Sequence, residues 1–175
     1  MVDGLRHRGP DGSGIYVSKD GRVCLGHTRL AIVELSDAGH QPMVSGDDTV
    51  ALTYNGEIYN HVELRQELQR LGAVFRGHSD TEVILEGYRA WGSGVVRRLR
   101  GMFAFAIYDS RRRLLLLARD RLGIKPLFFC HDGKEVVFGS EATVVRLAAR
   151  RSVLDRVAVS GFVKYRFVPG WRSIW

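Results

Sequence analysis

The feature that most constrains the fold is a pair of apolar segments separated by three consecutive arginines. Gly101–Asp109 alternates large and small residues without a polar face, and residues 114–117 are all leucine. The arginines at 111–113 predict a solvated hairpin turn. Strands of this kind are typically buried on both faces. The predicted hairpin must therefore lie between two layers of structure.

The rest of the chain supplies the elements that could form those layers. Apolar, β-branched or aromatic runs predict strands over residues 14–17, 23–30, 50–54, 127–129 and 136–139. Helical spacing and cap residues predict helices over residues 61–71, 79–91, 141–150 and 154–165. Residues 36–48 are turn-rich and predict a surface loop. A chain of 175 residues suits one domain with a sizeable core, so we expect an α+β fold in which two sheets pack together under helices.

Charge and cysteine content limit the classes of function. Residues 1–96 carry 9 Lys/Arg and 13 Asp/Glu, whereas residues 97–175 carry 17 and 6, a balance of +11. No nucleic-acid motif accompanies this charge, and we expect solvated surface, not nucleic-acid binding. Cys24 and Cys130 lie in apolar, strand-like segments and predict two buried, reduced thiols. No run is long enough to cross a bilayer and no signal peptide is visible, so we expect a cytoplasmic protein without membrane contact.

The polar stretch 55–60 (Asn-Gly-Glu-Ile-Tyr-Asn) lies between a predicted strand and a predicted helix. One interpretation is a simple Asn-Gly turn followed by Asn60 as a helix cap, with Glu63 completing a capping box. The other is that an amide and backbone N–H groups converge there on a ligand oxygen.

Two charged residues elsewhere in the chain also allow a structural and a functional interpretation. Ser79 and Glu82 form a predicted capping box, which leaves Asp80 free for another task. The structural interpretation is that Asp80 is itself the N-cap, or a favourable charge at the helix N-terminus. Arg29, at the end of an apolar run, is either an edge charge or a partner for a carboxylate.

Seven motifs in unbroken order resemble the class II glutamine amidotransferase domain of glutamine-hydrolysing asparagine synthetases. They are residues 7–11 (His-Arg-Gly-Pro-Asp), 26–30 (Gly-His-Thr-Arg-Leu), 39–43, 55–60, 79–82, 101–106 and 118–127. The resemblance covers most of residues 1–145. It implies a four-layer α/β/β/α sandwich of two mainly antiparallel sheets, similar to N-terminal-nucleophile hydrolases and incomplete at the N-terminus. It also implies a domain over residues 1–150, followed over 151–175 by the start of a connection to an ATP-dependent synthetase domain.

The resemblance also assigns a site for L-glutamine. Arg29 stands at the position whose side chain binds the substrate carboxylate in this family. Asp80 stands at the position that binds the ammonium group of the substrate, and Glu57 at a position that makes a further substrate contact. Asn55 and Gly56 stand at the positions that form the oxyanion hole in this family. Asn55 would contribute its side-chain amide, and Gly56 its backbone N–H. The remaining pocket positions are Leu30, Ala31, Ile32 and Val33.

The family's nucleophile is an N-terminal cysteine whose α-amino group serves as its base. Residues 1 and 2 here are Met and Val, so we expect this chain to be a fragment that does not itself hydrolyse glutamine. We further expect an upstream segment opening Met-Cys-Gly or similar. The resemblance implies no cofactor within these residues, ATP and Mg²⁺ in a synthetase domain in cis, and no metal site. It is compatible with a homodimer of the full-length protein.

Three alternatives remain open at this point. The chain could come from an amidotransferase that acts on an acceptor other than aspartate. It could be a non-catalytic scaffold, as in relatives that form β-lactams. A basic binding module is the alternative from a different class.

Overall fold

The computed structural model describes residues 1–30, 39–150, 153–170 and 172–174. It divides into two compact units, Met1–Leu127 and Phe128–Trp175. The division differs in position from the domain boundary expected after residue 150, and the assignment of 151–175 to an interdomain connection stays a prediction.

The first unit contains six strands and three α-helices within the described ranges. A 3₁₀ helix over Asp3–Arg8 precedes them, and another covers Gly92–Gly94. The elements are β1 (Gly12–Val17), β2 (Cys24–Arg29), β3 (Met43–Val44), β4 (Val50–Ile58), α1 (His61–Arg70), α2 (Asp80–Trp91), α3 (Val95–Arg98), β5 (Gly101–Asp109) and β6 (Leu114–Arg119).

Strand β5 lies inside an antiparallel four-stranded sheet of order β3-β4-β5-β6. From Phe103 to Asp109 every residue of β5 is buried, which confirms the prediction of a strand covered on both faces. The prediction was wrong for residues 114–117, because β6 is an edge strand of this sheet and Leu114 is 41% exposed. The three arginines do form the turn between β5 and β6.

Helices α1 and α2 cover one face of the sheet. The core between them includes alternate residues of β4, namely Leu52, Tyr54 and Ile58, packed with Leu64 and Leu68 of α1 and Ile84 and Tyr88 of α2. Gly92 ends α2 with a φ of 58°, a left-handed conformation that favours glycine at a helix C-terminus. The predicted helices and their end therefore agree with the structure.

The β1–β2 hairpin lies against β4. Its strands are antiparallel, with Gly12 paired to Arg29 and Val17 to Cys24. The Thr53 hydroxyl of β4 donates to the Gly26 carbonyl at 3.3 Å and lies 3.4 Å from His27 Nδ1. Because side chains alternate along a strand, Thr53 projects from the sheet face opposite Tyr54, which faces α2. The first unit is thus built from helices, a sheet and a hairpin in successive layers.

The second unit holds the remaining elements. They are β7 (Phe128–His131), β8 (Val136–Gly139), α4 (Ala142–Ala148) and α5 (Arg156–Tyr165). Strands β7 and β8 form an antiparallel hairpin that α4 contacts. The side chain of Asp155 caps α5 by accepting from the backbone N–H groups of Val157 and Ala158. All four elements were predicted from the sequence.

Two local expectations were wrong. Cys24 is exposed and Cys130 half-buried, although both are free thiols; each lies in a two-stranded hairpin, and a two-stranded hairpin buries little. The segment 36–48 also contains more structure than a surface loop. Its residues 36–38 lie outside the described ranges, but Met43–Val44 forms β3, and Gln41 and Ser45 are buried. No helix in the part of the chain that the structure describes has the length and apolar character needed to cross a membrane.

Candidate functional site

The candidate site is built on an open edge of β4. Strand β3 is only two residues long and pairs with Leu52 and Ala51. Among the strands that the structure describes, none pairs with the rest of that edge. Tyr54 and Ile58 each present a backbone N–H to this edge, and a buried side chain accepts from each. Gln41 Oε1 accepts from Tyr54 N at 2.7 Å, and Asp80 Oδ2 accepts from Ile58 N at 2.9 Å.

Between these two capped groups lies the N–H of Gly56. Gly56 is paired with Phe103, but the Phe103 N–H donates to Asp120 and its carbonyl accepts from Asp120 N, on the β6 side. In an antiparallel ladder only alternate pairs exchange hydrogen bonds, so Gly56 is not bonded to β5. Its N–H points to the open edge. Within the described ranges it has no hydrogen-bond partner, and it is therefore a single open donor flanked by two satisfied ones.

Only glycine fits at this position. A Cβ added to Gly56 would collide with the Met102 carbonyl oxygen and lie 2.8 Å from Phe103 Cα. The backbones of β4 and β5 therefore approach each other more closely here than a side chain allows.

Asn55 and Glu57 flank Gly56 on the face of the sheet that carries Thr53. Asn55 is half-buried and Glu57 is exposed. The turn interpretation of Asn-Gly was wrong, because both residues lie within β4 and pair with Ala104 and Phe103. The expectation that they follow the end of the strand was also wrong. The close approach of Gly101 to Glu57 extends the β4–β5 ladder as far as Ile58.

Asn60 also has a different role from the predicted one. Its side chain makes no cap bond to α1. It donates instead to the Arg98 carbonyl at 3.0 Å and accepts from Arg100 N at 2.8 Å. Asn60 therefore holds the segment that leads into β5 beside the end of β4.

Asp80 reaches the strand edge from the first turn of α2. It is 5% exposed, and its Oδ2 accepts from both the Ile58 N–H and the Tyr54 hydroxyl, the latter at 2.7 Å. Burial first, and then the negative charge and hydrogen bond of Asp80, raise the pKa of Tyr54. The phenol is therefore a neutral donor that keeps the carboxylate in place.

The loop before Asp80 is fixed by ionic and backbone contacts. Ser79 Oγ accepts from Glu82 N at 3.2 Å, which confirms half of the predicted capping box. The Glu82 carboxylate accepts from Arg76 N and Gly77 N and not from Ser79. Arg65 donates to the carbonyls of Gly77 and Ser79. The start of α2, and with it Asp80, is consequently held from both sides.

Arg29 lies at the end of β2, two residues beyond His27, where β2 lies against β4. The loop with the His-Arg-Gly-Pro-Asp motif meets it there, because Asp11 N donates to the Arg29 carbonyl at 3.0 Å and Pro10 forms a bridge with Arg29. Leu30 follows and is 55% exposed. The other predicted pocket residues, Ala31, Ile32 and Val33, lie outside the described residues.

A histidine beside Arg29 is held neutral. Burial, and then the charges of His40 and Arg29, lower the pKa of His27 to about 4. Near neutral pH, the His27 side chain is therefore uncharged.

The structure thus brings Asn55, Gly56 and Glu57 to one strand and joins Asp80 to the same strand, while Arg29 lies on the adjacent hairpin. Two residues of the site were missed, Gln41 and Tyr54. The only sequence signal for them is position: each stands next to or within a motif singled out above, but an amide in a turn-rich segment and a tyrosine in a strand have more common structural explanations.

Cys24 lies away from this site. Cys24 begins β2 and Arg29 ends it, a separation of about 17 Å at 3.3–3.4 Å per residue. Cys130 is in the second unit. Among the residues that the structure describes, no group of three or more His, Cys, Asp or Glu side chains is arranged to hold a metal ion.

Comparison with known proteins identifies the family of this chain. The sequence model of the glutamine amidotransferase domain family matches residues 1–175. The chain belongs to this family.

Its curated relatives include asparagine synthetases. The chain is 45% identical over 147 residues to asparagine synthetase [glutamine-hydrolyzing] 3 of Bacillus subtilis, covering 83% of this chain and 24% of that protein. It is 45% identical over 177 residues to a putative asparagine synthetase of Mycobacterium tuberculosis, covering 94% and 27%. Against the putative asparagine synthetase 2 of Methanocaldococcus jannaschii it is 36% identical over 194 residues, covering 100% and 37%. The chain therefore spans between 24% and 37% of the length of these relatives.

Solved structures confirm the fold. The glutamine phosphoribosylpyrophosphate amidotransferase of B. subtilis superposes with a TM-score of 0.71 at 24% identity, over 84% of this chain and 39% of that one. An allosteric regulatory enzyme of purine biosynthesis gives a TM-score of 0.58 at 26% identity, over 72% and 29%. The predicted α+β fold of the N-terminal-nucleophile type, with antiparallel sheets, is thereby confirmed.

Proposed function

We propose that this chain is the glutamine-binding part of an asparagine synthetase and that L-glutamine occupies the open edge of β4. The observation that carries the proposal is the Gly56 N–H, which is left open between two capped N–H groups and stands beside the Asn55 amide. A backbone N–H and the side-chain amide of the preceding residue can both donate to the carbonyl oxygen of a carboxamide. They suit still better the negative charge that develops on that oxygen during acyl transfer.

The charged residues would then hold the amino-acid end of the ligand. Asp80 uses Oδ2 for Tyr54 and Ile58, and its other oxygen is available to accept from an ammonium group. Arg29 has the planar donor arrangement that fits an α-carboxylate, and Glu57 would make a further polar contact. A zwitterionic amino acid needs one cation and one anion at fixed separation, and these residues supply both.

The ammonia released from glutamine would serve an ATP-dependent amidation of aspartate. The curated relatives that carry the name asparagine synthetase [glutamine-hydrolyzing] support this assignment. In this proposal ATP and Mg²⁺ bind to a synthetase domain in the same polypeptide and not to residues 1–175. None of the residues gathered at the β4 edge is a nucleophile, so hydrolysis requires one from outside this set.

Calorimetric titration tests the binding proposal. L-Glutamine should bind more tightly than D-glutamine, which misplaces one of the two charged groups, and more tightly than glutaramate, which lacks the ammonium group. Arg29→Ala should weaken binding of L-glutamine. Equal affinity for L-glutamine and glutaramate would show that the chain does not recognise the ammonium group. That result would contradict the proposed function.

A further inference from the structure

We propose that Gln41 is a positioning residue of the glutamine site. By capping the Tyr54 N–H it leaves Gly56 as the one open backbone donor of the β4 edge within the described ranges, and this makes the site select a carboxamide. The inference rests on the proposed function. It adds a residue from outside the strand, the helix and the hairpin that form the rest of the site.

The geometry of Gln41 suits this role. The residue is 8% exposed, and its Oε1 accepts from Tyr54 N at 2.7 Å, while its Nε2 lies 3.4 Å from Thr81 Oγ1. Thr81 is the neighbour of Asp80 in α2. One side-chain amide therefore connects the strand edge to the helix turn that carries the other cap.

The backbone of Gln41 is held as well. Gly14 of β1 leaves no room for a side chain, because an added Cβ would collide with the Gln41 carbonyl oxygen and lie 2.7 Å from His40 Nε2. The hairpin therefore packs directly on residues 40 and 41. Gln41 is fixed from the hairpin side by its backbone and from the helix side by its amide.

Removing this cap would change what the edge offers to a ligand. Tyr54 N–H would become a second open donor about 6.8 Å from that of Gly56, two residues along the same strand. A buried donor without a partner is costly, so the strand would shift or admit water to satisfy it. In either case the edge would no longer offer a single hydrogen-bonding position for the carbonyl oxygen of a ligand.

The test compares two ligands in three proteins by calorimetry. L-Glutamine and L-norleucine share their α-groups and differ in the presence of the carboxamide, so the ratio of their affinities isolates the carboxamide subsite. Gln41→Leu should lower this ratio at least about fivefold, the scale of one hydrogen bond. Gln41→Glu, which keeps an acceptor oxygen at the same chain length, should restore most of it.

Amide hydrogen exchange of the unmodified chain, followed by NMR, supplies a second and independent readout. The amide of Gly56 should exchange at least about tenfold faster than those of Tyr54 and Ile58. L-Glutamine, but not L-norleucine, should slow it. Fast exchange at Tyr54 would show that Gln41 is not a cap and would overturn the inference even if the Gln41 variants did not fold.

The possible failures are distinguishable. If the unmodified chain does not prefer L-glutamine to L-norleucine, the proposed function fails. If it does prefer L-glutamine and Gln41→Leu keeps the full preference while folded, the proposed function stands and the role of Gln41 is refuted.

Discussion

The Asp80 carboxylate accepts a hydrogen bond from the Ile58 backbone N–H at 2.9 Å and thereby ties the first turn of α2 to the end of β4. The same oxygen accepts from the Tyr54 hydroxyl. Two motifs 22 residues apart thus meet at one buried atom. The contact places an anion two residues from the Gly56 N–H, and it makes the ammonium subsite and the carbonyl subsite parts of one structure.

The first prediction concerns this carboxylate. Asp80→Ala should lower the free energy of unfolding by about 2–4 kcal/mol, because it leaves two buried donors without an acceptor. Asp80→Asn should cost less than half of that, since its amide oxygen can still accept. Urea denaturation measures both. Equal losses in the two variants would mean that charge, and not hydrogen bonding, dominates at this position.

The second prediction concerns Asp120, in the motif at residues 118–127. Burial alone would raise its pKa, but backbone N–H groups of Lys125, Ile124, Phe103 and Leu122 lower it below the ordinary value. Asp120→Ala should therefore cost about 3 kcal/mol or more, because four donors lose their acceptor.

Asp132 provides the matched control for this variant. It accepts from the N–H groups of Lys134 and Glu135 in an exposed turn, where water can replace it. Asp132→Ala should cost about 1 kcal/mol or less. If the two alanine variants were equally stable, the loop at Asp120 would not depend on its carboxylate.

The third prediction is a pH dependence that originates at His27. Its pKa in the folded chain is about 4, against 6.5 for an unperturbed histidine. The unfolded chain therefore binds more protons between these values, and stability should fall as the pH is lowered from 6.5 to 4. Thermal unfolding of His27→Gln should show a smaller fall over the same range. Parallel curves for the two proteins would assign the dependence to other groups.

The fourth prediction concerns the contact between β4 and β5. Gly56→Ala should destabilise the chain by about 3 kcal/mol or more, because its methyl group would overlap the Met102 carbonyl. Gly12→Ala is the matched control in another strand. Its added methyl group would meet only Arg29 Cβ, at 3.9 Å, and we expect a change close to zero. Urea denaturation of both proteins measures these changes in the free energy of unfolding. Equal, small changes in the two variants would show that β4 and β5 can move apart to accept a side chain at residue 56.

The elements that were predictable from sequence have local causes. The apolar run of β5, which has no polar face, indicated a strand covered on both faces. Ser79 with Glu82 indicated the start of α2. Leu64 and Leu68 indicated the buried face of α1. In each case a few neighbouring residues contain the information.

The features that were not predictable depend on residues distant in sequence. Asn55 and Gly56 are strand residues because Gly101 lets β5 approach β4, and nothing in the stretch 55–60 shows this. Gln41 is buried because the hairpin and α2 close over it. Residues 114–117 are partly exposed because β6 has an edge position in its sheet, which composition does not reveal.

A crystal structure of the chain with L-glutamine bound tests most directly whether this ligand occupies the open edge of β4. We predict that the carboxamide oxygen lies within hydrogen-bond distance of both Gly56 N and Asn55 Nδ2. The ammonium group should contact Asp80, and the carboxylate should contact Arg29. A competing location is a cavity of about 470 Å³ lined by residues that include Asp47, Glu86, Arg89, Asp109, Arg111 and Arg112. L-Glutamine bound in that cavity, with the edge of β4 empty, would contradict the account.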